Sequence, residues 1–137
     1  MYEIREGTDR FHILRFEGAV GHDEANECTA KLRALVRDAV EPLMLLTDLR
    51  ESEPWPDDAW SELGFAMRMN DRDVRVHVLV AAPDSEVAAE ARDLVDDVAS
   101  EARHVVGDMN DARRVLVDHF GAAEDYAFER YCADTRA

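Results

Sequence analysis

The chain has 137 residues, 31 acidic and 16 basic, with a formal net charge of −15; this length suits one domain around one core. Its 47% hydrophobic content excludes a disordered chain, and no apolar run approaches the ~20 residues of a bilayer span. The carboxylate surplus repels phosphate backbones and anionic lipid heads, which counts against nucleic-acid binding and membrane insertion.

Met1-Tyr2-Glu3-Ile4-Arg5-Glu6 is charged and alternating, with no signal-peptide core, so the expected location is cytoplasmic. Tyr2 to Arg5 and Phe11 to Phe16 read as two strands of a hairpin around Glu6-Gly7-Thr8-Asp9-Arg10. Gly18 and Gly21 punctuate the chain before a helix across Asp23 to Val40, where Ala25, Cys28, Leu32, Leu35, Val36 and Ala39 recur at helical spacing. Leu43-Met44-Leu45-Leu46, after Pro42, has the continuous apolar character of a central strand covered on both faces. An acidic, Pro- and Trp-containing loop, Glu51 to Pro56, leads to a helix that Asp57 or Asp58 would cap, with Trp60, Leu63 and Met67 inward.

Val74 to Val80 alternates as a strand. Pro83-Asp84-Ser85 opens a helix carrying Val87, Ala91, Leu94, Val95 and Val98. His104 to Val106 is a short strand, followed by a helix with Ala112, Val115, Leu116 and Phe120 that Gly121 is placed to end. The order ββαβαβαβα predicts an α/β domain over residues 1–121, with an N-terminal hairpin, then parallel strands, and helices packed on the mixed sheet. Residues 122–137 form a tail with one short helix through Phe128, Tyr131 and Cys132.

In open α/β sheets, sites lie beyond the carboxyl ends of the strands. Here that rule points to Asp48, Arg50, Ser52, Glu53, Trp55, Pro56 and Trp60 as a partner or ligand surface. Their carboxylates read as a solvated loop rather than a metal site in so acidic a chain. Trp60 fits the inner helical stripe, while Trp55 is divided between loop packing and a partner contact. A phosphoacceptor receiver domain is excluded: Asp48 stands after the third strand, but the only lysine, Lys31, lies in the first helix. No serine sits in a GxSxG elbow, no histidine pair has metal spacing, and no phosphate-binding glycine loop occurs. Cys28 and Cys132 are expected to be free thiols. The expectation is therefore no catalytic residues, no metal and no cofactor.

Four segments resemble the STAS domain, the anti-sigma-factor-antagonist fold, in its SpoIIAA-like branch: Phe16-Glu17-Gly18-Ala19-Val20; Leu45-Leu46-Thr47-Asp48-Leu49-Arg50; Val74 to Val80 with Pro83-Asp84-Ser85; and Val106-Gly107-Asp108 through Ala112 to Leu116. The resemblance covers Tyr2 to Phe120 and rests on element order. It implies a non-enzymatic, protein-binding signalling module, often switched by phosphorylation of a Ser or Thr in a D-S-x-G step at the start of the second helix. This chain has Pro56-Asp57-Asp58-Ala59 there, so Asp57 and Asp58 occupy the acceptor position and the acceptor is lost. The alternative is a carrier or sensor of a lipid-like apolar ligand in a helix–sheet pocket. A homodimer through the aromatic tail (Tyr126, Phe128, Tyr131) is a further expectation.

Self-repulsion at −15 also suggests adaptation to high salt. The melting temperature is expected to rise as salt increases from about 0.1 to 2 M; a flat or falling curve in differential scanning calorimetry contradicts that adaptation.

Overall fold

The computed structural model describes residues 1–135. Strands β1 (Tyr2–Glu6) and β2 (Phe11–Gly18) form the hairpin, followed by α1 (His22–Asp38), β3 (Leu43–Ser52), α2 (Asp57–Asn70), β4 (Val74–Val80), α3 (Glu86–Val98), β5 (Arg103–Val106), α4 (Met109–Leu116) and α5 (Ala122–Asp134). Single 3-10 turns, Asp71–Asp73 and Val117–His119, precede β4 and follow α4. The sheet order is β1-β2-β3-β4-β5, antiparallel between β1 and β2 and parallel thereafter.

Each parallel crossover moves one place in the same direction, and crossovers of one hand then land on one face. Accordingly α1, α2 and α3 share a core with Leu14, Phe16, Leu43 and Leu45. The opposite face, carrying Phe11, Ile13, Met44, Leu46, Val76 and Val78, is covered by Ala112 and Leu116 of α4 and Phe128 and Tyr131 of α5. The run Leu43-Met44-Leu45-Leu46 is fully buried, as a strand between two helical layers requires. No helix among the described residues is long and apolar enough to cross a membrane.

Several boundaries differ from the sequence reading. β3 continues through Thr47 and Asp48 to Ser52, because Leu14↔Thr47 and Gly18↔Ser52 extend its pairing with β2. Neither Asp57 nor Asp58 caps α2 with its side chain: Pro56 is the N-cap, and the two acids stand in the first turn, where they act on the helix dipole. Gly121 does not end α4, which gives way earlier to the 3-10 turn; it is the N-cap of α5, and its N–H donates to Glu124 Oε1 at 2.8 Å. Gly18, at φ 64°, takes the left-handed conformation that a side chain disfavours, and its carbonyl accepts from Glu53 N–H.

Between the sheet and α2 runs a buried polar chain. Arg103 Nη1 donates to His77 Nδ1 at 2.5 Å, and Nη2 donates to the Met67 carbonyl at 3.0 Å. Guanidinium only donates, so His77 Nδ1 must be unprotonated and its Nε2–H donates to Thr47 Oγ1 at 2.7 Å. Burial, reinforced by the Arg103 charge, holds His77 well below the ordinary histidine range.

The unfolded chain takes up this proton near pH 6.5 while the folded one does not, so stability present above that pH is lost as pH falls. His12, also lowered by burial, adds in the same direction. Urea unfolding is expected to show stability declining by up to about 1.4 kcal/mol per pH unit per histidine below pH 6.5. His77→Gln should flatten that decline; an unchanged slope contradicts the assignment.

Candidate functional site

The residues that the sequence places beyond the third strand are divided by the pleat between two sides of the sheet. Asp48 points toward α5 and is 2% exposed. Its Oδ1 accepts from the Arg50 backbone N–H at 3.1 Å and Nε at 2.9 Å, and its Oδ2 from Arg50 Nη2 at 2.9 Å and Tyr131 O–H at 2.5 Å. Burial alone would raise this carboxyl, but the Arg50 and Tyr131 hydrogen bonds outweigh it and hold the group below the usual range. Burial and the Asp48 carboxylate together push the Tyr131 hydroxyl up. Four donors fill the carboxylate, so Asp48 anchors α5 and is not available to a ligand. Arg50 Nη2 also donates to Thr135 Oγ1 at 3.2 Å.

Trp55 and Trp60 lie on the other side, 4% and 8% exposed. Their rings stack at 4.3 Å, and Phe16 meets Trp55 edge-on at 4.7 Å. Trp55 therefore belongs to the core, and the structure resolves its two readings in favour of packing. Its Nε1–H donates to Ser52 Oγ at 2.9 Å. Glu90 of α3 holds the pair: one oxygen, Oε1, accepts from Trp55 N–H at 3.1 Å and Trp60 Nε1–H at 2.8 Å. Glu90 has no motif in sequence, since its role depends on α3 meeting the loop before α2. Gly64 permits that approach, because a Cβ there would lie 2.8 Å from Leu94 Cδ1.

Of the sequence-derived surface, Arg50, Glu53, Pro56, Asp57 and Asp58 are exposed and Ser52 is half-buried. Asp48, Trp55 and Trp60 are not part of it. Sequence reasoning missed the outward side of α2, where Phe65 and Met69 are 54% and 64% exposed. Their four-residue spacing puts them on one helix face. Beside this helix His22 Nε2 lies 3.0 Å from Glu62, which raises the imidazole above its ordinary value.

The seam between α1, the sheet and Trp55, lined by Leu14, Phe16, Cys28, Leu32 and Leu63, has no room for a water molecule. A lipid-like ligand would have to part these helices. Burial pushes the Cys28 thiol up to about 12, which leaves it an inert core group. Among the described residues no group of three or more His, Cys, Asp and Glu is placed to hold a metal ion.

This architecture, an N-terminal hairpin continuing into a parallel sheet with its connecting helices on one face, is a SpoIIAA-like fold. The chain is similar to the anti-sigma factor antagonist SpoIIAA in its unphosphorylated form, at 11% identity and a TM-score of 0.64, over 88% of this chain and 100% of that one. It is also similar to an uncharacterised DUF3478-family protein with a SpoIIAA-like fold from Shewanella loihica PV-4, at 15% identity and a TM-score of 0.61, over 85% and 92% of the two chains. No family model and no curated protein sequence matches it.

Replacing Glu90 with alanine leaves Trp55 N–H and Trp60 Nε1–H without their acceptor. A loss of about 1–3 kcal/mol is expected in urea unfolding, with tryptophan emission shifted to the red in the folded state. An unchanged midpoint and spectrum would show that the loop holds without the carboxylate.

Proposed function

We propose that this chain is a non-enzymatic regulatory module that docks a protein partner on the outward face of α2 and the loop leading into it. The observation that carries this reading is the exposed pair Phe65 and Met69. The inner side of α2 is already filled by Trp60, Leu63 and Met67, so the core makes no use of the outer two. Aromatic residues and methionine are enriched at interface centres. Exposed Pro56, Asp57 and Asp58 continue the surface toward the carboxyl ends of the strands. The likeness to an anti-sigma factor antagonist supports a regulatory role at the level of fold.

Asp57 and Asp58 stand in the first turn of α2, where the STAS resemblance places its phosphoacceptor. A carboxylate supplies one fixed negative charge against the roughly −1.5 to −2 of a phosphoserine. We read this surface as permanently charged rather than switched.

The test is capture from cell extract on immobilised wild-type protein and on a Phe65→Ser/Met69→Ser variant, with bound proteins identified by mass spectrometry. A partner retained by wild type and reduced at least about tenfold by the variant is expected, the loss of hot-spot contacts. Equal retention overturns the docking face. Native mass spectrometry of both proteins separates out a second copy of the chain as the occupant, since the variant would then turn a dimer into a monomer.

A further inference from the structure

β1 is an edge strand of the sheet, joined to β2 on one side only. Its hydrogen bonds fix which backbone groups are left over. The Met1 amino group donates to the Glu17 carbonyl at 2.9 Å, and Glu17 N–H donates to the Met1 carbonyl at 2.8 Å. At the other end Gly7 N–H donates to the Phe11 carbonyl at 2.9 Å. Hydrogen-bonded and non-hydrogen-bonded pairs alternate along an antiparallel ladder, so Glu3 and Arg5 also turn their backbone groups toward β2. Tyr2, Ile4 and Glu6 therefore turn theirs to the open edge. Such a row of unpaired N–H and C=O groups is a template for another strand.

The side chains divide in the same alternation. Tyr2 and Ile4, both half-buried, pack on the core under α1. Glu3 and Arg5 lie on the α5 side, where Arg5 Nη1 donates to Asp134 Oδ2 at 3.1 Å and the guanidinium sits over the Tyr131 ring. An antiparallel copy of β1, with the two-fold axis at Ile4, sets Glu3 of each copy opposite Arg5 of the other. These are non-hydrogen-bonded positions of the new pair, where opposed side chains come closest. On the other side Ile4 meets Ile4, and Tyr2 stands opposite Glu6. Moving the axis to Glu3, Arg5 or Glu6 sets that residue against its own copy, like charge against like. Only the Ile4 register joins opposite charges while the edge groups of Tyr2, Ile4 and Glu6 all find partners.

We propose that two copies of this chain pair through β1, antiparallel about Ile4, into one continuous sheet. The occupant of the edge is a second copy because the strand is complementary to itself in both charge and register, and two-fold symmetry doubles each favourable contact. The closed pair removes the free β1 edge from both copies. The net charge of −15 on each copy opposes the pairing at long range, so association tightens as salt screens it. The interface shares no residue with the docking face on α2, and either stands without the other.

The experiment is sedimentation equilibrium of the full chain in about 0.5 M salt, with amide hydrogen exchange followed by NMR. Wild type is expected to form a dimer whose Tyr2, Ile4 and Glu6 amides exchange at least about tenfold more slowly than in the diluted monomer. Glu3→Arg sets like charges opposite each other and is expected to weaken association at least about tenfold, although it eases the long-range repulsion between acidic chains. Arg5→Glu is expected to do the same. Mixing the two variants restores opposite charges at both crossings, so a heterodimer is expected from two chains that are each monomeric alone. Glu3 is exposed, so Glu3→Arg retains the fold and decides the point by itself if Arg5→Glu, which loses the Asp134 bond, does not fold. The Phe65→Ser/Met69→Ser variant is expected to dimerise like wild type. A wild-type monomer at about 1 mM, a dimer that Glu3→Arg leaves intact, a mixture of folded variants that stays monomeric, or a dimer lost with Phe65 and Met69 overturns the pairing.

Discussion

The architecture depends on the buried bond between Tyr131 and Asp48. A sheet wound in sequence order with all its crossovers on one face leaves the other face bare. On that face Phe11, Ile13, Met44, Leu46 and Val78 need a cover, and α4, at eight residues, is too short to provide it alone. α5 completes the layer with Phe128 and Tyr131, and the Tyr131 hydroxyl needs a partner once it is buried. Asp48 supplies that partner at 2.5 Å, while Arg50 neutralises the carboxylate and reaches onward to Thr135. Each member makes the burial of the others tolerable, because an unpaired buried carboxylate or phenol is expensive.

Once that layer is closed, the interior on both faces is committed to packing. The Trp55–Trp60 stack and the Glu90 carboxylate consume the polar groups near the start of α2, and the α1 seam is too tight for water. What remains exposed and apolar near α2 is its outward side, where Phe65 and Met69 stand in the half of the helix that leads back to the amino end of β4.

Much of this order was legible in the sequence. Apolar runs of the right length and helical spacing in α1 and α3 report burial directly, since they are local consequences of which faces meet the core, whereas Val74 to Val80, read as an alternating strand, is buried on both faces from Val76 onward. The continuous run at Leu43 to Leu46 announced a strand covered on both sides. Local signals failed where a distant segment decides the outcome. Glu51 and Ser52 read as the start of an acidic loop, and only pairing with β2 makes them strand. Asp57 and Asp58 have the composition of helix caps, yet Pro56 takes the cap position.

The candidate surface shows the same division. The sequence alone determined the element order and hence the SpoIIAA-like fold, and the acidic charge, because each follows from residue type and spacing along the chain. Only tertiary structure decided that Trp55 and Asp48 are buried, that Tyr131 is a core residue rather than an interface aromatic, that Glu90 pins the loop, and that Phe65 and Met69 face outward. Those outcomes depend on which elements meet across the sheet, at separations of up to 83 residues along the chain for Asp48 and Tyr131, and periodicity within one helix or strand carries no information about them.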